Sequence, residues 1–378
     1  MPTPAEELAA LAKDGLLRQL RPLESPTGSK LVREGRKLWN FASNDYLGLA
    51  ESEMVRSAFR DGLDRFGHGA GASRLITGSQ SPHVAFEEEL AAAKNTEASL
   101  LFSSGFATAV GVVPALVGKG DFVILDKLCH ACLIDGARLS GATLRVFPHN
   151  DLRKLESLLK SIRAKEAQAR VLILTESVFS MDGDLCPLEE IVRLKNEYGA
   201  LLLLDEAHGF GVLGPTGMGL AEELALQDQV DFHMGTLSKA AGLSGAYLAC
   251  SSDWRELLVN RARSFIFSTA PPPALAHASS ASLQQIRSAH GNELRSRLQR
   301  QIAKLRPDGP ATPIIPRILG SNECALAASQ TLEAAGLLVP AIRYPTVPRG
   351  SARLRVSLSA LHPDEALDQL IDELARIS

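Results

Sequence analysis

Between residues 98 and 251 seven short apolar runs recur along the chain: ASLLFS (98–103), DFVILD (121–126), TLRVFP (143–148), RVLILTES (170–177), ALLLLDE (200–206), DFHMGT (231–236) and GAYLACS (245–251). Most are unbroken rather than alternating, as expected of strands buried on both faces. Segments of helical period separate most of them, among them DLRKLESLLKSIRAKEAQ (151–168) and PLEEIVRLKNEYG (187–199). Strand alternating with helix predicts an α/β domain around a mostly parallel sheet of seven strands. One connection cannot be a crossover. Only eight residues lie between Thr236 and Gly245, whereas parallel neighbours need a dozen or more, so the last strand is expected to run antiparallel.

The flanks read differently. Residues 1–20 have an amphipathic helical pattern, RPLESPTGSK interrupts it, and LWNFASNDYLGLA carries a short strand followed by a loop. The prolines of STAPPPALAHAS (268–279) form the clearest break, ahead of one long helix, ASLQQIRSAHGNELRSRLQRQIAKL. PIIPRIL and ARLRVSLS then read as strands between helices, which predicts a smaller C-terminal α+β domain. The expected organisation is an N-terminal helix-and-strand segment (1–45), a major domain (46–272) and a minor domain (273–378).

Composition narrows the function classes. The 378 residues, 45% hydrophobic, suffice for a large core. A net charge of −3 provides no general basic field for nucleic acid or an anionic membrane. Five irregularly spaced cysteines suit a reducing compartment better than a disulfide framework. The N-terminal segment lacks the apolar centre of a signal peptide, and no apolar run approaches the ~20 residues of a membrane span. A cytoplasmic protein with no nucleic-acid or membrane partner is expected.

In open α/β sheets ligands bind beyond the carboxyl ends of the parallel strands. The polar residues there are Ser103, Ser104, Gly105 and Phe106 opening a helix, then His130, then Glu176, Ser177 and Ser180, then Asp205 and His208, then Thr236, Ser238 and Lys239. Each alone has a plain structural reading, as a cap, a core histidine or a solvated loop lysine. Their shared placement is the signal. Asp205 and His208 lack the second pair that a zinc site needs. Cys129 and Cys132 form a C-x-x-C without a partner pair or a following histidine, and are expected to be structural. Gly209, Gly211 and Gly214 match the spacing of a dinucleotide fingerprint, but PTGMG follows where a helix should start. LLLLDEAH resembles the magnesium-binding strand of a helicase, yet GKG at 118–120 is no phosphate-binding loop.

Lys239 is the only full charge in HMGTLSKAAGLSG (233–245 without its first histidine's charge), set among small residues that let another group approach closely. Poor solvation makes such an amine easier to deprotonate and more nucleophilic. A nucleophilic lysine, an acid, and phosphate donors together suit pyridoxal 5'-phosphate (PLP). Its aldehyde needs a lysine, its ring nitrogen an Asp or Glu, and its phosphate the N–H groups of a helix N-terminus with hydroxyls. Lys239, Asp205, Gly105 with Phe106, and Thr236 fill these roles.

Seven stretches then carry a family resemblance: SNDYLGL (43–49), GAGASRLITGS (69–79), SGF (104–106), TESVFSMDGD (175–184), DEAHGFGVLG (205–214), GTLSKA (235–240) and PTVPRGSARLRVSLS (345–359). From about residue 15 onward the chain resembles the α-oxoamine synthases, fold-type I PLP-dependent transferases that condense an amino acid with an acyl thioester and release carbon dioxide. The resemblance implies a Schiff base at Lys239, a ring-nitrogen partner in Asp205, and His208 and Ser180 beside the phenolic oxygen. It implies stacking by His130 and phosphate contacts from Gly105, Phe106 and Thr236, with Ser268 or Thr269 supplied by a second subunit of a homodimer with a composite site. Asn44 and Arg355 would meet the substrate carboxylate, and Arg18 and Thr346 the acyl substrate, with Arg21 one helical turn from Arg18. GASRLITG, FIFSTAPPPA and PTVP favour L-alanine with pimeloyl-CoA or pimeloyl-acyl carrier protein. Glycine or serine with other acyl thioesters is the alternative. A cofactor-binding regulator without turnover would need a basic DNA-binding segment, and residues 1–40 are too short and too mixed in charge for one.

Overall fold

The computed structural model describes residues 2–377. Met1 and Ser378, which the first and last expected segments include, lie outside the described residues. Thirteen strands occur among the described residues: β1 (Lys30–Arg33), β2 (Arg36–Asn40), β3 (Ala98–Phe102), β4 (Phe122–Asp126), β5 (Thr143–Phe147), β6 (Val171–Glu176), β7 (Leu201–Asp205), β8 (Phe232–Thr236), β9 (Ala246–Cys250), β10 (Ile314–Gly320), β11 (Leu337–Leu338), β12 (Ala341–Ile342) and β13 (Ala352–Ser357). Contacts divide the chain into two units. The larger comprises Leu49–Ser180 and Asp184–Arg295; the smaller comprises residues up to Gly48, Met181–Gly183, and Ser296 onward. The division falls inside the helix Ala289–Leu305. The break expected at residue 272 instead precedes the helix Pro273–Arg287, which belongs to the larger unit.

The larger unit is built on the expected seven-stranded sheet, in the order β3-β9-β8-β7-β6-β4-β5. Only β9 is antiparallel to its neighbours, β3 and β8. Every residue of β6, β8 and β9 is buried, which explains why their sequences do not alternate. On one face, Val112, Val113 and Leu116 of the helix Gly105–Leu116, and Leu133 of the helix Ala131–Ser140, pack with Leu125, Leu172, Leu174, Leu203 and Phe232 of the sheet. From β4 the chain moves outward to β5, returns across β4 to β6, and then builds in the other direction through β7 and β8. The order therefore reverses between β4 and β6, where the carboxyl ends leave a crevice.

The return from β8 to β9 is a tight loop of residues 237–245. Leu237 N–H donates to Gly245 O at 3.0 Å, Leu243 N–H to Leu237 O at 2.9 Å, and Gly242 N–H to Lys239 O at 2.8 Å. Gly242 has φ +68°, and a Cβ there would stand 2.2 Å from the backbone nitrogen of Ala50. Only glycine satisfies both constraints.

The smaller unit holds two three-stranded sheets, β1-β2-β11 and β10-β13-β12. PIIPRIL and ARLRVSLS supply the antiparallel pair β10 and β13. The hairpin β1-β2 was not legible as two strands: β1 is a four-residue KLVR segment, turned by Glu34 and Gly35, both at positive φ. The first helix is Pro4–Lys13, shorter than its periodicity suggests. The long helix expected over 281–305 is two, Pro273–Arg287 and Ala289–Leu305, because Ser288 is extended (ψ 171°) and its hydroxyl accepts the N–H of Gly291 at 3.2 Å. A serine cap starts a second helix without disturbing the amphipathic pattern.

Candidate active site

At the carboxyl ends of the large unit's strands lies a cleft of about 180 Å³, partly open to solvent. Gly105, Phe106, His130, Glu176, Asp205, His208, Thr236, Ser238 and Lys239 line it, with Cys132, Ala207, Met234 and Gly235. Pairing registers Glu176 with Asp205 and Asp205 with Met234, so neighbouring strands end at one level. The tight loop after β8 presents Lys239, whose Nζ is 2.8 Å from His208 Nε2. His208 itself is buried in the turn after β7. The Asp205 carboxylate, 4% exposed, accepts the N–H of Ala207 through Oδ1 at 2.9 Å.

The cleft also presents hydrogen-bond donors. Ser104 caps the twelve-residue helix Gly105–Leu116, its hydroxyl accepting Ala107 N–H at 3.1 Å. The first N–H groups of that helix have no intrahelical acceptor. Thr236 Oγ1 lies 2.7 Å from Ser238 Oγ and 2.9 Å from Gly245 O. Oriented amides at a helix N-terminus and two hydroxyls form a phosphate cradle.

Electrostatically the cleft is crowded with acid. Burial raises the Asp205 pKa above the ordinary carboxylate range, although Lys239, the Ala207 N–H and His130 pull the other way. Burial, and then the charge of Asp205, push Glu176 up to about 8, against Lys239 and the backbone N–H groups of His130 and Ser180. His130 opens onto the cleft, yet its imidazole is enclosed enough that burial lowers its proton affinity, with Lys239 acting in the same direction and Asp205 opposing. Two adjacent buried carboxyls facing one amine favour a further positive group between them. A flat cofactor with a cationic ring nitrogen and a phosphate fits this donor set: Asp205 for the nitrogen, Lys239 for the aldehyde, the helix terminus and Thr236 for the phosphate.

The expected residues of the larger unit are therefore brought together, with two exceptions. Ser180 contacts Glu176 through its backbone rather than lining the cleft. Thr269 sits apart, bridging in antiparallel fashion to Ser73 and lining a small separate pocket with Ser103 and Ser268. In the smaller unit, buried Arg355 on β13 donates through one Nη to Asn44 Oδ1 at 3.1 Å and to Ser357 Oγ at 2.7 Å. Tyr46 Oη donates to the same Asn44 oxygen at 3.2 Å. Its phenol is pushed up to about 12 by burial, against the Arg355 charge. Arg21 is held by the carboxylates of Glu34 and Glu333, whereas Arg18 and Thr346 are exposed.

Glu176 and Cys132 are cleft residues whose roles the sequence did not disclose. Glu176 Oε1 accepts the backbone N–H of His130 at 2.5 Å, tying the end of β6 to the start of the helix Ala131–Ser140 that follows β4. The available signal was Glu176's position, level with Asp205 at a strand end.

Residues 36–374 match the family described as aminotransferase class I and II. The 8-amino-7-oxononanoate synthase of Geobacter sulfurreducens is 46% identical over 99% of this chain and 97% of its own length. A serine palmitoyltransferase from S. paucimobilis, solved with PLP bound, superposes with a TM-score of 0.92 at 28% identity, covering 98% of this chain and 95% of that one. The 8-amino-7-oxononanoate synthase of Francisella tularensis superposes with a TM-score of 0.77 at 28% identity, over 90% and 97% of the two chains.

Proposed function

The chain belongs to the aminotransferase class I and II family, and from that premise we propose that it is a PLP-dependent acyltransferase. It condenses L-alanine with a pimeloyl thioester, carried by coenzyme A or an acyl carrier protein, to give 8-amino-7-oxononanoate for biotin synthesis. One observation carries the chemistry: the Lys239 amine and the buried Asp205 carboxylate face one cleft with a phosphate cradle beside them. The likeness to 8-amino-7-oxononanoate synthases, 46% identical over nearly the whole chain, supports the substrates.

PLP, when bound, supplies an electron sink for the charge left at the amino acid Cα. The protein's residues do the remainder. Asp205 holds a proton on the cofactor's ring nitrogen, and the donors of Gly105, Phe106 and Thr236 hold its phosphate. The Lys239 amine removes the Cα proton and later returns one, acting as general base and acid. His208, 2.8 Å away, orients that amine. His130 borders the cofactor's place in the cleft, and Ser180 supports it from outside by holding Glu176 through its backbone. Arg355, already held by Asn44 and Ser357, is preorganised to receive a carboxylate without first ordering its side chain. Of the two N-terminal arginines, Arg21 is engaged by two carboxylates, which favours Arg18, with Thr346, for the acyl substrate.

The active form in this proposal is a homodimer in which Thr269 of a second copy completes the phosphate site. Phe267 and Ile76, 70% and 76% exposed, are large apolar residues that such a copy would cover. A cytoplasmic location suits five free thiols, four of them buried, and among the described residues no helix is long and apolar enough to cross a membrane.

The test is a product matrix by mass spectrometry, pairing alanine, glycine or serine with pimeloyl, acetyl, succinyl or palmitoyl thioesters. Alanine with pimeloyl should exceed every other pair. The added methyl of alanine over glycine discriminates by only about 1–3 kcal/mol, so glycine should be poor rather than inert. A serine–palmitoyl or glycine–acetyl winner would overturn the substrate assignment.

A further inference from the structure

The C-x-x-C at Cys129 and Cys132 is unused by the chemistry above. Both thiols are buried and in no disulfide, and among the described residues no cluster of ligands completes a metal site. Cys132 nevertheless lines the cleft. Its Sγ lies 3.0 Å from Nδ1 of His130, and its backbone N–H donates to the same nitrogen at 3.3 Å. His130 precedes the helix Ala131–Ser140 as its cap, so its ring stands over the first turn and meets the N–H two residues on. Its own backbone N–H is fixed by Glu176 Oε1.

We propose that Cys132 is a positioning residue that holds His130 Nδ1 as a hydrogen-bond acceptor, so that the ring carries its proton on Nε2. Two donors converge on Nδ1, one from the backbone and one from the thiol. A backbone N–H cannot accept, so the Nδ1–H form would lose that bond and face a donor with a donor. The thiol reinforces the same choice, because burial pushes its own ionisation far above the ordinary thiol range and keeps the S–H intact. The ring is then neutral and presents one N–H edge rather than a lone pair. In the cleft it acts as a donor and as an apolar face, and the base role falls to Lys239.

The ionisable groups around the ring come from four elements. Asp205 ends β7 and favours protonation of His130; Lys239, after β8, disfavours it; Glu176 ends β6 and binds the backbone; Cys132 lies on the ring's own helix. Burial outweighs Asp205, and protonating Nδ1 would break both bonds it accepts. The tautomer stands on these contacts alone, while its catalytic consequence rests on the function proposed above.

The test uses the PLP-loaded wild-type protein with Cys132→Ala and Cys132→Ser. Long-range ¹H–¹⁵N spectra of ¹⁵N-histidine protein, with the His130 signals assigned from His130→Asn, read the tautomer and its titration. Wild-type His130 should be neutral at pH 7 with the proton on Nε2. Cys132→Ala should move its half-titration upward by about half to one pH unit, the equivalent of one weak hydrogen bond. Cys132→Ser, whose hydroxyl can donate, should restore it. The infrared S–H stretch of Cys132, taken from the wild type minus Cys132→Ala, should shift to higher frequency in His130→Asn. A proton on Nδ1, an imidazolium at pH 7, or an unmoved titration in Cys132→Ala would overturn the proposal. Inactive protein that retains the Nε2 tautomer and the Cys132 effect would count against the proposed reaction and not against this contact.

Discussion

Lys94→Met tests a buried ion pair beneath the cleft. Lys94, the last residue of the helix Ser81–Lys94, and Glu206, next to Asp205, are both fully buried and form a direct salt bridge. Lys94 Nζ also donates to Met218 O at 2.6 Å and lies 5.5 and 5.6 Å from the ring centroids of Phe210 and Tyr247. The other Glu206 oxygen accepts Ala221 N–H at 3.1 Å, and a Cβ on Gly219 (φ +106°) would stand 2.3 Å from it. Burial alone would raise this carboxyl, but Lys94 and His233 outweigh it and bring it from 4.5 to about 2. A displacement of that size corresponds to roughly 3 kcal/mol, in line with the about 3–5 kcal/mol lost when one member of a buried pair is removed. The sign follows from a lowered folded-state value. The contribution is complete above the ordinary carboxyl range and is lost as the pH falls from 4.5 towards 2. Urea unfolding at fixed protein concentration, followed by circular dichroism, should show that loss in Lys94→Met at neutral pH. The double variant Lys94→Met, Glu206→Gln should recover most of it, because no buried charge is left alone. A single variant costing under about 1 kcal/mol, or a double variant no better than the single, would refute the reasoning.

His149 bridges Asp126 (3.0 Å) and Asp184 (2.6 Å); burial lowers its proton affinity, but the two carboxylates outweigh that and push it up to about 10. Its contribution is whole below the ordinary 6.5 and fades as the pH rises through 10, so His149→Gln should flatten the fall in unfolding free energy across that interval; an unchanged slope would contradict it. Asp205→Asn should keep the cofactor, read by absorbance, but lose most Cα-deuterium exchange of L-alanine in heavy water, since an amide cannot hold a ring nitrogen protonated; exchange at the wild-type rate would exclude that role. Gly242→Ala forces a Cβ against the Ala50 nitrogen at a left-handed φ, and should cost about 1–3 kcal/mol in stability together with turnover; wild-type melting and rate would show that the loop tolerates the strain.

The sheet was legible because burial on both faces leaves unbroken apolar runs in its inner strands, and each of its seven strands starts and ends within a residue or two of its run. The direction of β9 followed from connection length alone. Short or interrupted elements were not legible: β1 has four residues bracketed by charge, and Ser288 divides a helix whose amphipathic period continues past it. In the cleft, residues at strand ends could be collected because topology orders them. Cys132's contact with a ring two residues back, and Lys94's with a carboxylate 112 residues away, depend on side-chain direction and on packing that sequence spacing does not encode.

The short return between β8 and β9 has a consequence for how the chain can be altered. Most neighbouring strands of the sheet are joined through helices, whose surface ends can absorb inserted residues at little entropic cost. The Lys239 loop has no such slack: its 237–245 backbone is closed by three internal hydrogen bonds and anchored at both ends by paired strands. One added residue would either push the register of β9 by one place, moving each of its buried side chains to the opposite packed face of the sheet, or lift the amine away from His208. Insertions and circular permutations should therefore be tolerated in the connections on the other side of the sheet and rejected here, making this loop the least length-variable connection in the larger unit.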